Sequence, residues 1–549
     1  MSAASSIDCD RAESHETSPC RPTRSLARPR SYYVGHYLWI CAWRLRPDDT
    51  FDPASAESWK LMRERLSNLP VPSIARWSAC TGVLGLSLAL LFYRLGDGSL
   101  YDWDEAIYAQ AAKEMLHTRA WGSLSWDGYP FLHKPPLYFW LTALTYHLIG
   151  IHEFAARLWS ALFGFGVLIL TFAFGARLRS WTVGVGAVLL LLGVDRAYYS
   201  QWWNFLSLSR VGLMDTALTF WVMITLLLIW QSDRRPWLLA LVGIPVGLAL
   251  LTKAWPGLFA MLIALPYWHL TRRGQTSHLG YWTVAVILAA AVALPWHLWQ
   301  YSLHGHFFLR EYVGFNLLER VLQTVEMHHG GPFFYLSVIR RGFSIWGYAL
   351  PLAYLLGVWR AWRKGDQGAV LLLCWVAIPL LLFSIAQTKL GWYINMVYPP
   401  LALLLAIALA DLLGARVALG VVAIGMLACC LHSPAPADGS PDVKAFAREA
   451  LQIVNPGDAL YVIRSACAEG PSHTAGELFL TDTHIRPSMV FYLNRRLTCV
   501  TERHVLEGSG LQGAYVIIDG ESWPRFSHLG QVVLQVLEDG HGYLLARMK

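Results

Sequence analysis

The sequence predicts an α-helical protein that crosses a membrane many times and carries a small α/β domain at its C-terminal end. Of its 549 residues, 55% are hydrophobic and only 15% are charged, whereas soluble domains have about 25% charged residues. Apolar runs recur between residues 77 and 432 at lengths suited to membrane helices. Short strand-like runs separated by Gly, Pro and Asp follow them. Together these features indicate a polytopic membrane protein with a soluble C-terminal domain.

The formal net charge of +7 does not indicate a nucleic-acid partner. The basic residues fall largely in short loops, as they do in the cytoplasmic loops of membrane proteins. The chain contains no motif typical of RNA or DNA binding, so membrane lipids are the surroundings that we expect.

Residues 1–76 are mostly polar and rich in Arg, Ser and Pro, without the basic and apolar regions of a signal peptide. We interpret them as a disordered cytoplasmic tail. The alternative is that translation begins at Met62, which opens an ordinary basic lead-in to a first membrane helix.

Twelve apolar runs are candidate membrane helices, each close to the roughly 20 residues that a bilayer requires or somewhat shorter. They are residues 77–95, 136–150, 154–176, 181–195, 212–231, 237–252, 255–270, 280–299, 333–360, 368–386, 391–411 and 416–432.

The basic loops give these runs an orientation. Residues 231–235, 271–273 and 359–364 would be cytoplasmic by the positive-inside rule, and so would the arginines before the first run. The two assignments disagree by one crossing, which an extra short span near 197–212 reconciles. We therefore expect a transmembrane domain over 77–432 with about thirteen helices and a first periplasmic loop at 96–135.

From residue 433 to 549 the composition is that of a soluble domain. KAFAREALQIV is helical in pattern, while LYVIR, SMVFYL, AYVIID and GYLLARM are strand-like. We expect a small α/β domain on the periplasmic side. Cys467 and Cys499 lie in it and form either a disulfide or two buried thiols.

The first periplasmic loop is acidic at one end and basic at the other. Asp104 and Glu105 open an amphipathic helix, where carboxylates suit the positive end of the helix dipole. Lys134 stands at the membrane edge before Pro135 and Pro136. This arrangement suggests proton abstraction beside an anion site, although charges in an exposed loop are usually only solvated.

On this topology many ionisable side chains collect at the outer face of the membrane. Besides those of the loop they include Arg210, Asp215, Lys253, Arg320, Glu326, His328, His329, Lys389 and Tyr393. Several cations with few acids at a lipid boundary suit a phosphate or pyrophosphate, and a nearby carboxylate suits a general base. A substrate linked to a lipid needs its site at this edge.

Each of these residues also has a plainer interpretation. Lys253 is a snorkelling lysine in that view, Lys389 is a boundary anchor, and Arg210 pairs with Asp215 close by. Glu326 and His329 hold a divalent metal in one interpretation and have a structural or substrate-contacting role in the other, because adjacent histidines on a loop diverge.

Six stretches, in this order, resemble the GT-C membrane glycosyltransferases related to the aminoarabinose lipid A transferase and the protein O-mannosyltransferases. They cover roughly residues 77–411, and the C-terminal domain agrees only loosely, through its position and RPSMVFYLNRR. The stretches are DEAIYAQAAKEML, GYPFLHKPPLYFWLTALTYHLIGIHEFAARLWSALFG, SRVGLMDTALTF, ALLTKAWPGL, NLLERVLQTVEMHHGGPFFYL and TKLGWYINMVYPPLALLLA.

The resemblance implies a GT-C fold that moves a sugar, such as 4-amino-4-deoxy-L-arabinose, from a polyprenyl (undecaprenyl) phosphate to a lipid A-type, glycan or protein acceptor at the periplasmic face of a bacterial inner membrane. It implies Asp104 as the catalytic acid of the first loop and Asp215 as a second acid. We place Glu105 with these two acids as a catalytic candidate. The donor phosphate would be held by Lys134, Lys253 and Arg320, with Tyr393 lining the cavity and Lys389 nearby.

The sequence departs from the family pattern at three positions. Ile107 stands where a basic residue often follows DEA, Ala254 where Gly is common, and His133 where an acidic residue often precedes the KPP lysine. The last change argues against carrying a metal site of relatives over to this chain, while a divalent metal at Glu326 and His329 stays an open alternative. The chemistry itself requires no cofactor, because a polyprenyl-phosphate sugar is already activated.

Three other functions fit parts of the sequence. A transporter or flippase for a lipid-linked anion would also gather cations, but it predicts internal repeats with broken helices near the membrane midplane, and we find none. A second alternative keeps the fold and changes only the acceptor, which would be a protein hydroxyl, a lipid A phosphate or another glycan. Nothing in the sequence separates these acceptors. A membrane scaffold leaves the cations unexplained.

Overall fold

The computed structural model of this protein describes residues 73–193, 204–271, 278–324, 328–431, 438–464, 486–507, 510–538 and 541–549. The predictions for a disordered tail and for a start at Met62 fall almost wholly outside the described residues. So do those for Glu326 and Cys467.

Most apolar runs of the sequence form helices close to the predicted bounds, but the run predicted at 333–360 is divided by the 3₁₀ segment Ser344–Tyr348. In chain order the longer helices are α1 (Ser73–Phe92), α2 (Asp104–Thr118), α3 (Leu137–Ile149), α4 (Glu153–Leu178), α5 (Trp181–Leu192), α6 (Asp215–Gln231), α7 (Gly243–Lys253), α8 (Phe259–Thr271), α9 (Leu279–His304), α10 (Phe334–Gly342), α11 (Leu350–Lys364), α12 (Gln367–Ile385), α13 (Tyr398–Leu413) and α14 (Ala415–Leu431).

Short helical segments connect them. They are α-helical at Phe205–Leu208, Leu238–Leu241, His306–Leu309 and Arg320–Leu322, 3₁₀ at Trp255–Leu258, Ser344–Tyr348 and Gly391–Val397, and π-helical at Arg310–Glu319.

Five of the described helical segments are long and apolar enough to cross a membrane: α1, α4, α9, α12 and Gly391–Leu413. Five more apolar stretches are shorter. The protein is a polytopic membrane protein, while the count of thirteen spans stays a prediction. Of the extra span near 197–212, residues 197–203 lie outside the described part, and the remainder holds only the helix Phe205–Leu208.

Small residues let the membrane helices approach closely. A Cβ at Gly175 of α4 would lie 2.6 Å from the Cα of Gly184 of α5. A Cβ at Gly243 of α7 would lie 1.9 Å from the carbonyl oxygen of Ala285 on α9. Helix association within lipid depends on such backbone contacts, because no hydrophobic drive exists between helices there.

Ion pairs tie helix ends together around Arg360, which lies in the basic loop 359–364 predicted to be cytoplasmic. Arg179 after α4 donates to Asp411 of α13 at 2.8 Å. Arg360 of α11 also pairs with Asp411 and reaches Asp366, the N-cap of α12, at 2.5 Å. This network fixes the ends of four helices on one side of the bundle.

The C-terminal domain contains helices α15 (Pro441–Ile453) and α16 (Pro487–Leu493) and the short helices Glu502–Leu506 and Trp523–Phe526. Its strands are β3 (Leu460–Arg464), β4 (Thr498–Thr501), β5 (Tyr515–Asp519), β6 (Gly530–Glu538) and β7 (His541–Met548). The five-stranded sheet has the order β4-β3-β5-β7-β6. β3 is parallel to β4 and β5, and β7 is antiparallel to β5 and β6. The predicted mixed domain is confirmed, and Cys499 on β4 is disulfide-bonded.

One predicted strand of this domain is wrong. SMVFYL lies in α16, which has Pro487 in its first turn and ends before Asn494 in the left-handed conformation. Those are typical helix boundaries. Residues 489–493 are all apolar or aromatic because α16 is buried against α2, so they show no alternation that distinguishes a helix from a strand.

The loop at 96–135, predicted to be periplasmic, differs from the prediction in its exposure. Its helix α2 begins at Asp104 as expected, but it is not amphipathic, since every residue from Glu105 to Lys113 is buried. α2 packs between α3 and α16. A two-residue hairpin, β1 (Ser125–Trp126) with β2 (Tyr129–Pro130), follows it. The loop is therefore a packed part of the protein.

Candidate active site

A cavity of about 290 Å³ lies where the ends of several helices meet. It is bounded by the segment before α3, the start of α6, the end of α7, the π-helical segment 310–319 and the 3₁₀ segment 391–397. Its polar lining consists of His133, Lys134, Asp215, Lys253, Asn316, Arg320, Thr388 and Tyr393. The rest of the lining is mostly apolar.

The apolar wall of the cavity reaches the outside of the helix bundle. Leu262 of α8 and Leu382 and Ile385 of α12 line the cavity and are themselves 37%, 36% and 61% exposed. In a membrane protein such exposed aliphatic side chains face lipid. The cavity therefore joins a charged interior to the lipid-facing surface.

Lys134 enters this cavity from the turn that precedes α3. Its Nζ lies 3.4 Å from the Oδ1 of Asn316, a long hydrogen bond. Burial lowers the pKa of Lys134 to about 8, and the charges of Arg320 and Lys253 act in the same direction. Lys134 is therefore a cation at neutral pH that gains from an anion placed beside it.

Lys253 and Asp215 form a buried ion pair inside the cavity. Asp215 opens α6 and Lys253 closes α7, so the pair joins two helix ends. The predicted pairing of Asp215 with Arg210 is wrong. Arg210 donates instead to the backbone oxygens of Leu91 and Tyr93 at the end of α1, at 3.1 and 2.9 Å.

Ala254 follows Lys253 in a backbone conformation that favours glycine. Its φ is 54° and its ψ −137°, a region that strains a residue carrying a Cβ. This explains physically why glycine is common at this position in the family pattern. The sharp turn carries the chain from α7 into the 3₁₀ segment Trp255–Leu258 and leaves Lys253 facing the cavity.

Arg320 and Tyr393 form the opposite part of the polar wall. Arg320 donates to the Tyr393 hydroxyl at 3.2 Å and lies 5.2 Å from the ring centroid of Phe315. The Lys253 Nζ lies 5.3 Å from the Tyr393 ring centroid. The structure thus brings together Lys134, Lys253, Arg320 and Tyr393, as the sequence predicts.

Asp104 lies beside the cavity and is not one of its lining residues. It is half-buried at the start of α2 and hydrogen-bonds to the side chain of Tyr108. Burial raises the pKa of Tyr108 well above its ordinary value, and the Asp104 charge adds to this effect. Asp104 is also close enough to act electrostatically on Lys134 and Asp215.

Glu105 does not fit its assignment as a catalytic residue. It is fully buried, and Arg157 of α4 binds both of its oxygens, at 2.8 and 3.1 Å. The backbone N–H groups of Tyr101 and Gly212 donate to the same carboxylate. Because its acceptor sites are occupied, Glu105 is a positioning residue that ties the start of α2 to the segment before α6.

Lys389 likewise does not line the cavity. Its Nζ donates to the backbone oxygens of Ser384 and Ala386 at the end of α12, at 2.9 and 2.5 Å. Its backbone N–H donates to the oxygen of His328 at 3.0 Å. Lys389 therefore caps α12, where a cation suits the negative end of the helix dipole.

His133 and Glu311 form a contact that the sequence analysis missed. The His133 Nε2 lies 3.0 Å from the Glu311 Oε2, and both side chains are 8% exposed. The imidazole stacks on Phe315 with ring centroids 4.7 Å apart. Burial lowers the pKa of His133, so a neutral imidazole is favoured. Glu311 carried no signal in the sequence, because its partner is 178 residues away.

The donor set for a metal is incomplete in the part of the chain that the structure describes. No group of three His, Cys, Asp or Glu side chains there is placed to hold a metal ion. Glu326 lies outside the described residues, and His329 is exposed. A metal at Glu326 and His329 stays a prediction.

Residues 82–309 match the sequence family described as dolichyl-phosphate-mannose-protein mannosyltransferase. The chain is also 30% identical over 361 residues to undecaprenyl phosphate-alpha-4-amino-4-deoxy-L-arabinose arabinosyl transferase 2 of Pseudomonas fluorescens strain Pf0-1, covering 61% of this chain and 60% of the relative. It is 32% identical over 347 residues to transferase 1 of the same description from P. fluorescens strain ATCC BAA-477 / NRRL B-23932 / Pf-5, covering 59% of each chain.

The chain thus spans about 60% of the length of the curated relatives that it matches. Among solved structures it is similar to ArnT from Cupriavidus metallidurans bound to undecaprenyl phosphate, with a TM-score of 0.70 and 17% sequence identity over 85% of this chain and 97% of that one. This likeness confirms the predicted fold. The chain is thus similar in sequence to the aminoarabinose transferases and the protein mannosyltransferases, and it has the GT-C fold that the resemblance predicts.

Proposed function

We propose that this protein transfers a sugar from a polyprenyl (undecaprenyl) phosphate donor to an acceptor at the outer face of the membrane. The observation that carries the proposal is the convergence of Lys134, Lys253 and Arg320 in one cavity with an apolar wall. A soluble anion needs no such wall. A phosphate attached to a long aliphatic carrier would contact the cations with its phosphate group and the apolar wall with its carrier chain.

The donor phosphate would lie among the three cations. With Asp215 as the fourth charged group of the lining, they carry a net charge of +2, three positive charges less one negative. Arg320 offers a fork of donors suited to phosphate oxygens, and the lysines act as point charges. Fixed cations in a site of low polarity stabilise charge that develops on a leaving group, often the largest contribution to catalysis.

Asp104 would serve as the general base. The acceptor oxygen attacks the anomeric carbon, the bond from that carbon to the phosphate oxygen breaks, and the polyprenyl phosphate leaves with the electron pair. The acceptor proton passes to Asp104, which is half-buried and electrostatically coupled to Lys134. Asp215 is already engaged by Lys253. A single displacement of this kind inverts the configuration at the anomeric carbon.

The names of the relatives favour 4-amino-4-deoxy-L-arabinose as the sugar and a lipid A-type acceptor. We place the active site and the C-terminal domain on the periplasmic side of a bacterial inner membrane. A cysteine introduced at Ser527 of the C-terminal domain would then react with an impermeant reagent on intact spheroplasts. Reaction only after lysis would contradict this orientation.

A second candidate is the transfer of mannose to protein hydroxyl groups. It is favoured by the match of residues 82–309 to the dolichyl-phosphate-mannose-protein mannosyltransferases. Both candidates share the phosphate site and the base and differ only in sugar and acceptor.

The test is mass spectrometry of lipid A, glycolipids and glycoproteins from cells with the wild-type protein and with Asp104→Asn. We expect a mass increment for one sugar on one acceptor class with wild type and its loss in the variant. The variant should fold and bind polyprenyl phosphate normally. Asp97→Asn is the matched control, because Asp97 is an exposed acid of the same loop that pairs only with Arg94 in the described structure. Full transfer by Asp104→Asn would refute the base assignment.

A further inference from the structure

The C-terminal domain contacts the segment of the first periplasmic loop that carries Asp104. On the N-terminal side of Asp104, the backbone N–H of Leu100 donates to the Tyr492 hydroxyl at 2.7 Å. The same hydroxyl donates to Glu153 at the start of α4 at 3.0 Å. Tyr492 therefore joins the loop, the membrane bundle and α16 through one oxygen atom.

Asp102, two residues before Asp104, is also held by this domain. Its carboxylate accepts hydrogen bonds from the Ser440 hydroxyl at 2.8 Å and from the Ser488 backbone N–H at 3.1 Å. Upstream, the Ser440 backbone N–H donates to the Ser99 hydroxyl at 2.6 Å. Ser99, Leu100 and Asp102 of the loop are thus tied to Ser440, the N-cap of α15, and to α16.

A third contact lies on the far side of Asp104, along α2. The Lys113 side chain is 4% exposed, and its Nζ donates to the backbone oxygen of Phe491 at 2.6 Å. The same Nζ lies 4.7 Å from the Phe491 ring centroid. This cation reaches the C-terminal turn of α16, where backbone oxygens lack helical partners. A buried lysine whose donor is used by a neighbouring domain is a specific docking contact.

The backbone between these contacts is strained. Trp103, directly before Asp104, has a φ of 66° and a ψ of −127°. A residue with a Cβ seldom holds this conformation unless its surroundings determine it. The determining contacts here are those of Leu100 and Asp102 to the C-terminal domain on one side and of Glu105 to the membrane bundle on the other.

We propose that the C-terminal domain is a positioning part of the active site, which holds Asp104 at the cavity through Tyr492 and Lys113. This inference rests on the proposed function for the role of Asp104. It goes further by assigning a task to a domain whose described residues contribute nothing to the cavity lining. Small displacements of a reacting group cost large factors in rate, so the contacts affect turnover more than donor binding.

The test compares Tyr492→Phe and Lys113→Met with the wild-type full chain in nanodiscs. Tyr515→Phe, in β5 of the same domain, is the matched control, because this ring contacts Arg547 and not the loop. We expect hydrogen exchange of the amides in residues 100–107 to be about fivefold faster in Tyr492→Phe, because this variant loses the hydrogen bond between the Leu100 N–H and the Tyr492 hydroxyl. We expect kcat to fall about tenfold in both variants, with an unchanged KM for donor.

Lys113→Arg keeps the charge and a donor, and it should recover most of the kcat lost in Lys113→Met. If Tyr492→Phe and Lys113→Met show the same hydrogen exchange and the same kcat as the control Tyr515→Phe, the proposal is overturned. A parallel loss of kcat, donor affinity and thermal stability would overturn it too, since it would indicate a structural role alone. If the wild type transfers no sugar, the proposed function fails, while the exchange measurement still tests the contact.

Discussion

Replacement of Lys134 by alanine should weaken the binding of polyprenyl phosphate without unfolding the protein. Lys134 has only a long hydrogen bond to Asn316 in the described structure, so the free protein loses little on truncation. The bound phosphate loses one charged hydrogen bond, which contributes about 1.5–3 kcal/mol. Since about 1.4 kcal/mol corresponds to a factor of ten, we expect Kd to rise about 10- to 150-fold.

The pKa of Lys134, about 8, adds a signature in pH. Above this value the free protein has a neutral amine, which must be protonated before it can bind the phosphate. The affinity of the wild type should therefore fall as pH rises through 8, by up to about tenfold per unit. Lys134→Arg stays charged over this range and should lose that dependence. Lys113 also has a pKa of about 8, and a pH dependence that it contributes would persist equally in Lys134→Arg and Lys134→Ala, so the two variants separate it from that of Lys134.

The assay is direct binding of polyprenyl phosphate to the protein in nanodiscs from pH 6 to 10, with thermal unfolding as the control for folding. Lys364→Ala is the matched variant, since Lys364 is an exposed lysine at the end of α11, away from the cavity lining. An unchanged Kd for Lys134→Ala at pH 7 would place the phosphate elsewhere. A pH dependence equal in Lys134→Arg and wild type would assign the titration to another group.

Three further substitutions test the neighbouring contacts by thermal unfolding. Lys253→Met should destabilise the fold by about 3–5 kcal/mol, because it leaves Asp215 charged, buried and unpaired; adding Asp215→Asn should restore stability but not donor affinity, and equal stability of the single variant and wild type would contradict the buried pair. Ala254→Gly should raise stability by about 1 kcal/mol, since it removes strain at positive φ, and a lower unfolding temperature would argue against that strain. Glu105→Gln should cost about 3–5 kcal/mol by breaking the pair with Arg157, whereas a loss of activity at full stability would return Glu105 to the chemistry.

The sequence was informative where a property is local. Most apolar runs predicted the helices within a few residues, although the run 333–360 is two helices, and the break between the runs 237–252 and 255–270 predicted the end of α7. Lys134 and Lys253 at the cavity could also be predicted, because each stands at the edge of an apolar run, whereas Arg320 lies between two runs and is placed there through the resemblance.

Partners distant in sequence could not be predicted in the same way. Asp215 has Arg210 five positions before it, yet its partner is Lys253, 38 residues away. Glu105 and Asp104 are adjacent acids, and only the tertiary contact with Arg157 separates the positioning residue from the candidate base. The buried state of α2 depends on α16, more than 360 residues further along the chain, which no pattern within the loop reports.

The central claim is that the cations at the cavity bind the phosphate of a lipid-linked donor. A cryo-electron microscopy structure of the full chain in nanodiscs with polyprenyl phosphate tests it most directly. The account predicts phosphate density within hydrogen-bond distance of Lys134 and Arg320, with the carrier running along the apolar wall formed by α8 and α12. Phosphate density outside this cavity, with Lys134 and Arg320 not in contact with the lipid, would contradict it.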